Sequence, residues 1–459
     1  MAGRKDILLG KIRDGQQMTL REQLALTAFL SIPAILAQLS SVLMQYIDTA
    51  MVGHLGANQS ASIGLISTST WIFMGFCSAT SSGFTVQIAH LVGSNDFARA
   101  REVVRQGLTS VLAFSVALAL IGVAIAPSLP RWLGGNPDIT ADASAYFLIF
   151  AACLPLQQLV FSCGGMLQAS GNMKVPSMLN INMCIMDVAF NYLFIYGLGL
   201  GVVGAAIGTG VSVLITAGLM LWFLTVRSPE LNLRQDRGSF LPQRATLRNA
   251  LGIASPMWLQ NLIMRGAYVM NTIIVAPLGT VSIAANAFAI TAESFCYMPG
   301  YGLEEAATTL VGQSLGAKRR ELARRFATIT TASGAGIMTL LGIVMYAFAP
   351  ALMGLLSSDP DVVALGAKVL RIEAFAETMF AVSIVAYGAF VGAGDTLVPS
   401  ALNLASMWVV RIGLALVLTP RLGLQGYWIA MCIELNIRGL LFLMRIRGDR
   451  WMKSRLIKV

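Results

Sequence analysis

Long apolar segments constrain the fold of this chain more than any other feature. Twelve of them alternate with short polar connections, and many exceed the about 20 residues that a helix needs to cross a bilayer. Only 12% of the residues are charged, whereas soluble domains have about 25%. The sequence therefore predicts an all-α membrane protein with twelve transmembrane helices. The predicted spans are 24–52, 60–92, 102–126, 143–170, 174–197, 201–226, 247–276, 282–315, 321–349, 363–392, 396–418 and 423–446.

The distribution of basic residues predicts the orientation of these spans. Most of the 32 Lys and Arg residues lie before span 1, after spans 2, 4, 6 and 8, and at the end of span 12. Because cytoplasmic connections are enriched in Lys and Arg, we expect both termini in the cytoplasm and a location in the cytoplasmic (inner) membrane. The polar first 23 residues show no secretory signal peptide. Topology and contact with anionic membrane lipid then explain the net charge of +10, and no nucleic-acid partner is expected.

The two halves of the chain resemble each other. At one constant offset Pro33 aligns with Pro256, Thr49 with Thr272, and "VPSMLN" (175–180) with "VPSALN" (398–403). Each repeat holds six spans, so the halves should have the same orientation and form two parallel six-helix lobes, an architecture of transporters. We expect a monomer. The predicted regions are a cytoplasmic N-terminal segment (1–23), an N-lobe (24–226), a cytoplasmic linker long enough to let the lobes move (227–246), a C-lobe (247–446) and a cytoplasmic tail (447–459).

Carboxylates inside the first six spans indicate an ion site. Asp48 lies within span 1, and Asp187 and Asn191 are four residues apart on one face of span 5. The repeat places Asn271 opposite Asp48, so duplication does not impose the charge on both halves. Acidic groups inside a membrane usually mark ion paths. We predict that these three residues form a coupling-cation site that binds Na⁺ or holds one shared proton. The alternative is a structural hydrogen bond.

The second half carries a different set of charges within its spans. Glu373 and Glu377 are four residues apart, Glu434 has Arg438 four residues later, and three further glutamates accompany two arginines. We interpret Glu434 and Arg438 as a structural ion pair. The other glutamates form either internal salt bridges or a substrate or second ion site. That candidate C-lobe site comprises Glu293, Glu304, Glu305, Glu373, Glu377 and Arg265.

Motifs for catalysis are weak or missing. The six cysteines form no CxxC pair and only two histidines occur, so no metal cofactor is expected. "GAGD" (392–395) matches a pattern of intramembrane aspartyl proteases, but it lies at a connection, and the repeat aligns Asp395 with Asn172. We interpret it as a turn. No HExxH or Walker A pattern is present, and we expect no enzyme activity.

Several motifs resemble those of the multidrug and toxic compound extrusion (MATE) transporters. They are "DTAMVGHLG", "VGSNDFARAREVV", "QASGNMKVPSMLN", "LVGQSLGAKRRELARR" and "VGAGDTLVPSALN". The resemblance implies that Asp48 binds the coupling cation, that Pro33 is the point at which span 1 bends, and that Asp187 and Asn191 complete the site. Met264 and Phe380 stand near the positions where one branch of the family has C-lobe carboxylates.

These observations together predict a secondary active multidrug or toxin efflux transporter. It would exchange H⁺ or Na⁺ for organic cations or amphipathic compounds by alternating access. The alternative is a flippase of a lipid-linked saccharide, whose pyrophosphate would require several cationic residues in the cavity. The interior of the first six spans has none, and the second half sets two arginines against five nearby glutamates.

Overall fold

The computed structural model describes residues 3–453, and within this range the chain is helical without any β-strand. A short N-terminal helix, Arg4–Arg13, precedes twelve long helical spans, so the predicted all-α fold is confirmed. Residues 1, 2 and 454–459 of the predicted terminal segments lie outside the described residues.

The spans agree closely with the apolar segments. Spans 1 to 6 are Leu20–Gly53, Ala57–Gly93, Phe97–Ile125, Pro137–Ala169, Lys174–Tyr192 extended by a π-helical turn at Leu193–Gly197, and Gly201–Trp222 extended by a second one at Phe223–Arg227. Spans 7 to 12 are Arg244–Val275, Thr280–Gly316, Arg320–Leu356, the pair Pro360–Glu373 and Glu377–Gly392, the run from Leu397–Ala405 through a π-helical Ser406–Ile412 to Gly413–Leu422, and Leu424–Arg447.

Hydropathy alone accounts for most of these helices. In the described part of the chain, nine helices are long and apolar enough to cross a membrane. The number is ten if the bent pair of helices in span 10 is counted as one span. The other two are span 7 and span 12, which carry several amide and charged side chains in their interiors.

Span 10 differs from its prediction as one continuous segment. Its two helices meet at an angle of 60° across residues 374–376. There the backbone forms tight turns, in which the amide of Ala376 donates to the carbonyl of Glu373 (2.7 Å) and that of Phe375 to Ile372 (3.3 Å). No Pro or Gly occurs at the break, so the local sequence carries no signal for it. As a result Glu373 and Glu377 stand at the two facing helix ends.

Packing divides the chain into two compact units. The first, here the N unit, comprises Ser40–Trp258. It includes the first half of span 7, because Gly83 on span 2 allows a close backbone approach: a Cβ at this position would lie 2.6 Å from the carbonyl oxygen of Ala250. The Trp258 indole donates to the Thr80 hydroxyl (3.1 Å) and stacks on Phe114 with ring centroids 5.4 Å apart.

The second unit, here the C unit, combines residues 3–39 with residues 259–453. Gly302 on span 8 again permits the approach, since a Cβ there would lie 2.6 Å from the backbone nitrogen of Ile35. One turn further, Gln38 donates to Glu305 (2.9 Å). The predicted lobes divide the chain where the sequence repeat does, before span 1 and at the linker. The boundaries between the two packed units fall instead inside span 1, after Leu39, and inside span 7, after Trp258.

The linker between the halves is fastened to the N unit. Arg101, at the start of span 3, donates to the carbonyl of Glu230 (3.0 Å) and forms an ion pair with Asp236. Arg105, one turn later, donates to the carbonyl of Leu233 (3.0 Å). Both arginines are buried. This part of the linker is therefore an ordered element of the N unit and not a free connector.

Candidate functional site

The three residues predicted for the coupling-cation site come together in the N unit. The side-chain amide of Asn191 donates to Asp48 Oδ1 and to Asp187 Oδ2, each at 3.1 Å. Asp187 is fully buried and Asn191 nearly so, whereas Asp48 is half-buried. The two carboxyl groups lie within electrostatic range of each other. The site therefore consists of two acidic groups, each of which accepts one hydrogen bond from the same side-chain amide.

This arrangement leaves acceptor oxygens without donors. Within residues 3–453, neither Asp187 Oδ1 nor Asn191 Oδ1 accepts a hydrogen bond that meets normal geometry, and both are buried. The hydroxyl of Thr209 on span 6 approaches the Asp187 carboxyl. A buried acceptor without a donor costs about 1–3 kcal/mol. A bound proton or small cation would satisfy these oxygens.

Small residues on span 6 set the position of Asn191. A Cβ at Gly208 would lie 2.1 Å from Asn191 Oδ1 and 2.9 Å from its backbone nitrogen, and one at Gly204 would lie 2.7 Å from the carbonyl of Phe194. The two glycines are four residues apart on one face, the pattern that lets membrane helices approach closely. Span 5 therefore packs against span 6 with its backbone almost in contact.

The end of span 1 is also attached to span 5. The π-helical turn Leu193–Gly197 places Tyr196 so that its hydroxyl donates to the carbonyl of Met51 (2.7 Å). Val52 and Ile195 are buried in the same small cluster. These contacts hold Asp48 opposite Asn191, although the two residues are far apart in the sequence.

Sequence reasoning missed three residues of this site: Gly208, Thr209 and Tyr146. Tyr146 on span 4 is half-buried and lies within electrostatic range of both carboxylates. The "GAAIG" spacing of Gly204 and Gly208 was a usable signal for close helix packing. Nothing in the sequence indicates which span packs against this glycine face of span 6.

The structure groups only part of the predicted C-lobe site. Glu373 and Glu377 are fully buried, Glu293 is 5% exposed, and the three lie within electrostatic range of one another. No described residue donates a hydrogen bond to any carboxyl oxygen of Glu373 or Glu377. Ionisable groups inside a membrane usually mark functional sites, and binding sites of transporters are typically formed by broken helices.

The remaining charges of the C unit have separate environments. Arg411 donates to Glu434 Oε2 through Nε (3.0 Å) and Nη2 (2.7 Å), and Arg438 donates to Glu434 Oε1 (2.7 Å). The predicted ion pair of Glu434 and Arg438 is thus confirmed, with Arg411 as a second partner. Glu304 and Glu305 lie beyond Pro299 on the same helix, and Arg265 packs over the ring of Tyr268 (5.5 Å).

Comparison with known proteins identifies the family. The MatE family model matches residues 33–193 and again 256–417, well over half of the chain. The chain belongs to the MATE family. The two matches begin at Pro33 and Pro256, which the internal repeat aligns, so the duplication is confirmed as well. As a MATE protein the chain is a multi-pass membrane protein, in agreement with its apolar spans.

Relatives of this MATE protein cover it almost completely. "Probable multidrug resistance protein NorM" of Thermotoga maritima is 25% identical over 439 residues, which is 92% of each chain. "Multidrug resistance protein MdtK" of Yersinia pestis (strain Pestoides F) is 24% identical over 440 residues, covering 93% of this chain and 94% of the relative. A solved MOP superfamily transporter from Pyrococcus furiosus Vc1 (DSM3638) superposes with a TM-score of 0.88 at 21% identity, over 98% and 99% of the two chains. That likeness shows the shared twelve-helix fold.

Two other predicted positions have clear places in this MATE fold. Pro33 lies inside the uninterrupted helix of span 1, so the bend at this residue stays a prediction. Asp395 lies in the connection between spans 10 and 11, after Gly394 with φ of 76°, and accepts from Arg445 Nε (3.0 Å). The interpretation of "GAGD" as a turn is confirmed.

Proposed function

We propose that this MATE protein is a secondary active efflux transporter that exchanges H⁺ or Na⁺ for organic cations or other amphipathic compounds. The observation that carries the proposal is the buried group of Asp48, Asn191 and Asp187 in the N unit. The printed names of its relatives, multidrug resistance proteins, support the efflux activity and small-molecule substrates. We place it in the cytoplasmic membrane as a monomer with both termini in the cytoplasm.

The geometry suits a coupling ion that enters and leaves. Asn191 supplies only two hydrogen atoms, and both are used, so a pair of ionised carboxylates has no further donor on the amide. A proton shared between the carboxylates, or a Na⁺ held by Asp48, Asp187 and the Asn191 carbonyl oxygen, would balance the site. Inward movement of one positive charge releases about 2.3 kcal/mol per 100 mV of membrane potential. That energy would drive export.

Occupancy would change the packing between spans 1 and 5. Without the ion, Asp48 and Asp187 repel each other. A bound ion would cancel this repulsion. Pro33 has no backbone N–H, so span 1 lacks one backbone hydrogen bond at this point and bends there more easily. Asp48 lies beyond Pro33 on the same helix, so a movement of Asp48 would act on this weak point. We infer that ion binding bends span 1 at Pro33 and so reshapes the N-lobe during alternating access.

The distribution of charge favours cationic substrates over a lipid-linked pyrophosphate. A flippase would need unpaired cations to hold its phosphates. Arg411 is instead bound to Glu434, which it shares with Arg438, and Arg265 packs over Tyr268. The acidic groups Glu293, Glu373 and Glu377 exceed the free cationic charge around them, and we assign them to a second ion or substrate-cation site.

Efflux from reconstituted vesicles tests the proposal. Purified protein in proteoliposomes should export a cationic dye when either a proton or a sodium gradient is imposed, and comparing the two gradients identifies the ion. Asp48→Asn should abolish gradient-driven efflux without lowering the melting temperature. Asp138→Asn, at an exposed position in the first turn of span 4, serves as the matched control and should behave as wild type. Full efflux by Asp48→Asn would refute the role of this site.

A further inference from the structure

A crevice in the N unit lies apart from the ion site. It is open to the surface, has a volume of about 370 Å³, and is lined by Asn172, Val175, Trp222, Phe223, Arg227 and Ser228. These residues come from the start of span 5 and the end of span 6, the end of the spans that carries the basic connections. Pockets that bind small ligands begin at about 300 Å³. The crevice is therefore large enough for a polar headgroup.

Unpaired cations border this crevice. Arg227 is exposed and its guanidinium lies over the ring of Trp222 at 5.0 Å, but it forms no ion pair with any residue in 3–453. Lys174, between two lining residues, is also exposed and has no carboxylate partner among the described side chains. Trp222 is itself 41% exposed. An arginine beside an exposed tryptophan at a helix end is the composition of a membrane–water interface.

In the second half of the chain, the region that the repeat aligns with this crevice is occupied by the protein's own side chains. The repeat aligns Asn172 with Asp395, which accepts from Arg445 and so neutralises the end of span 12. The chain then continues to Trp451, which is fully buried and contacts Phe390 (5.6 Å between ring centroids). In the first half the aligned residue is uncharged. Its side-chain oxygen accepts from the amide of Val175 (3.2 Å), and the crevice remains open.

We propose that this crevice binds the phosphate headgroup of an anionic phospholipid. Arg227 and Lys174 supply the positive charge, and the first half has no carboxylate at the position of Asp395 to neutralise it. Trp222 and Phe223 offer apolar surface for the glycerol and the upper acyl chain. Basic pockets between transmembrane helices are known to select such lipids. The source of the phosphate is the membrane and not the solution, because the aromatic walls match a lipid better than an inorganic ion.

Lipid binding to the purified full-length protein tests the site. The protein is transferred into nanodiscs with equal amounts of phosphatidylglycerol and phosphatidylcholine. Lipid retained after detergent extraction is then counted by mass spectrometry, and melting is followed while phosphatidylglycerol is titrated. Wild type should retain phosphatidylglycerol preferentially. Each cation removed, in Arg227→Gln and Lys174→Gln, should weaken binding about fivefold.

Two further variants separate the site from general surface charge. Asn172→Asp can still cap Val175, but it supplies the missing carboxylate and should lose the preference for phosphatidylglycerol. Arg234→Gln removes an exposed positive charge from the nearby linker, outside the crevice, and should bind like wild type. If Arg234→Gln weakens binding as much as Arg227→Gln, or if Asn172→Asp has no effect, the site is wrong. Stabilisation by inorganic phosphate equal to that by the lipid would overturn the assignment to a membrane ligand.

Discussion

Replacing Gly208 by alanine tests whether helix packing sets the geometry of the ion site. A Cβ at this position would lie 2.1 Å from Asn191 Oδ1, whereas real Cβ contacts are essentially never below 3.0 Å. The Asn191 amide must therefore retreat by about 1 Å, a displacement large enough to impair a functional constellation. Its hydrogen bonds to Asp48 and Asp187 are already 3.1 Å long, so at least one of them would break.

The magnitude follows from the strength of one such bond. A hydrogen bond to a charged group contributes about 1.5–3 kcal/mol. Since every 1.4 kcal/mol is tenfold in an equilibrium constant, the affinity for the coupling cation should change about 10- to 100-fold. The affinity for Na⁺ should fall, because the Asn191 carbonyl oxygen that would bind this ion retreats with the amide. The assay is dye efflux from proteoliposomes at increasing concentration of the driving cation. Gly208→Ala should shift the half-maximal concentration by that factor, and the shift should be upward when Na⁺ is the driving cation.

Gly218 provides the control on the same helix. A Cβ there meets nothing within 4 Å, so Gly218→Ala changes helix propensity without a new contact. It should transport normally and gain about 0.5–1 kcal/mol of helix stability. If Gly208→Ala shows the same cation dependence as Gly218→Ala, and both are folded by melting and gel filtration, then the contact between spans 5 and 6 does not position Asn191.

Three further substitutions separate structural from functional charges. Glu434→Gln should lower the melting temperature sharply, since removing one partner of a buried ion pair costs about 3–5 kcal/mol. Glu377→Gln should leave melting unchanged or raise it, because no described residue donates to this carboxyl, and any effect should appear in efflux; a melting loss as large as that of Glu434→Gln would refute this distinction. Arg101→Gln should make the linker cleave faster with trypsin, because its ion pair with Asp236 is lost; unchanged cleavage would show that other contacts hold the linker.

Features that depend on neighbouring residues were predictable from the sequence. A transmembrane segment must satisfy its backbone hydrogen bonds within itself, so an apolar run of sufficient length becomes a helix wherever it occurs. The spacing of Asp187 and Asn191 placed them on one helical face for the same reason. The repeat predicted the duplication and identified Asn271 as the uncharged counterpart of Asp48. The pairing of Glu434 with Arg438, also four residues apart, belongs to this class.

Features that depend on distant segments required the tertiary structure. Asp48 meets Asn191 only because span 1 packs against span 5, and Glu434 finds Arg411 only because span 12 packs against span 11. The break in span 10 has no Pro or Gly to announce it, and the change of packing partner within spans 1 and 7 follows from close approaches at Gly302 and Gly83. Inside a membrane most helix faces are apolar, so hydropathy does not distinguish one partner from another. Shape complementarity at small residues and pairing of rare polar groups decide it, and both arise only when the helices are assembled.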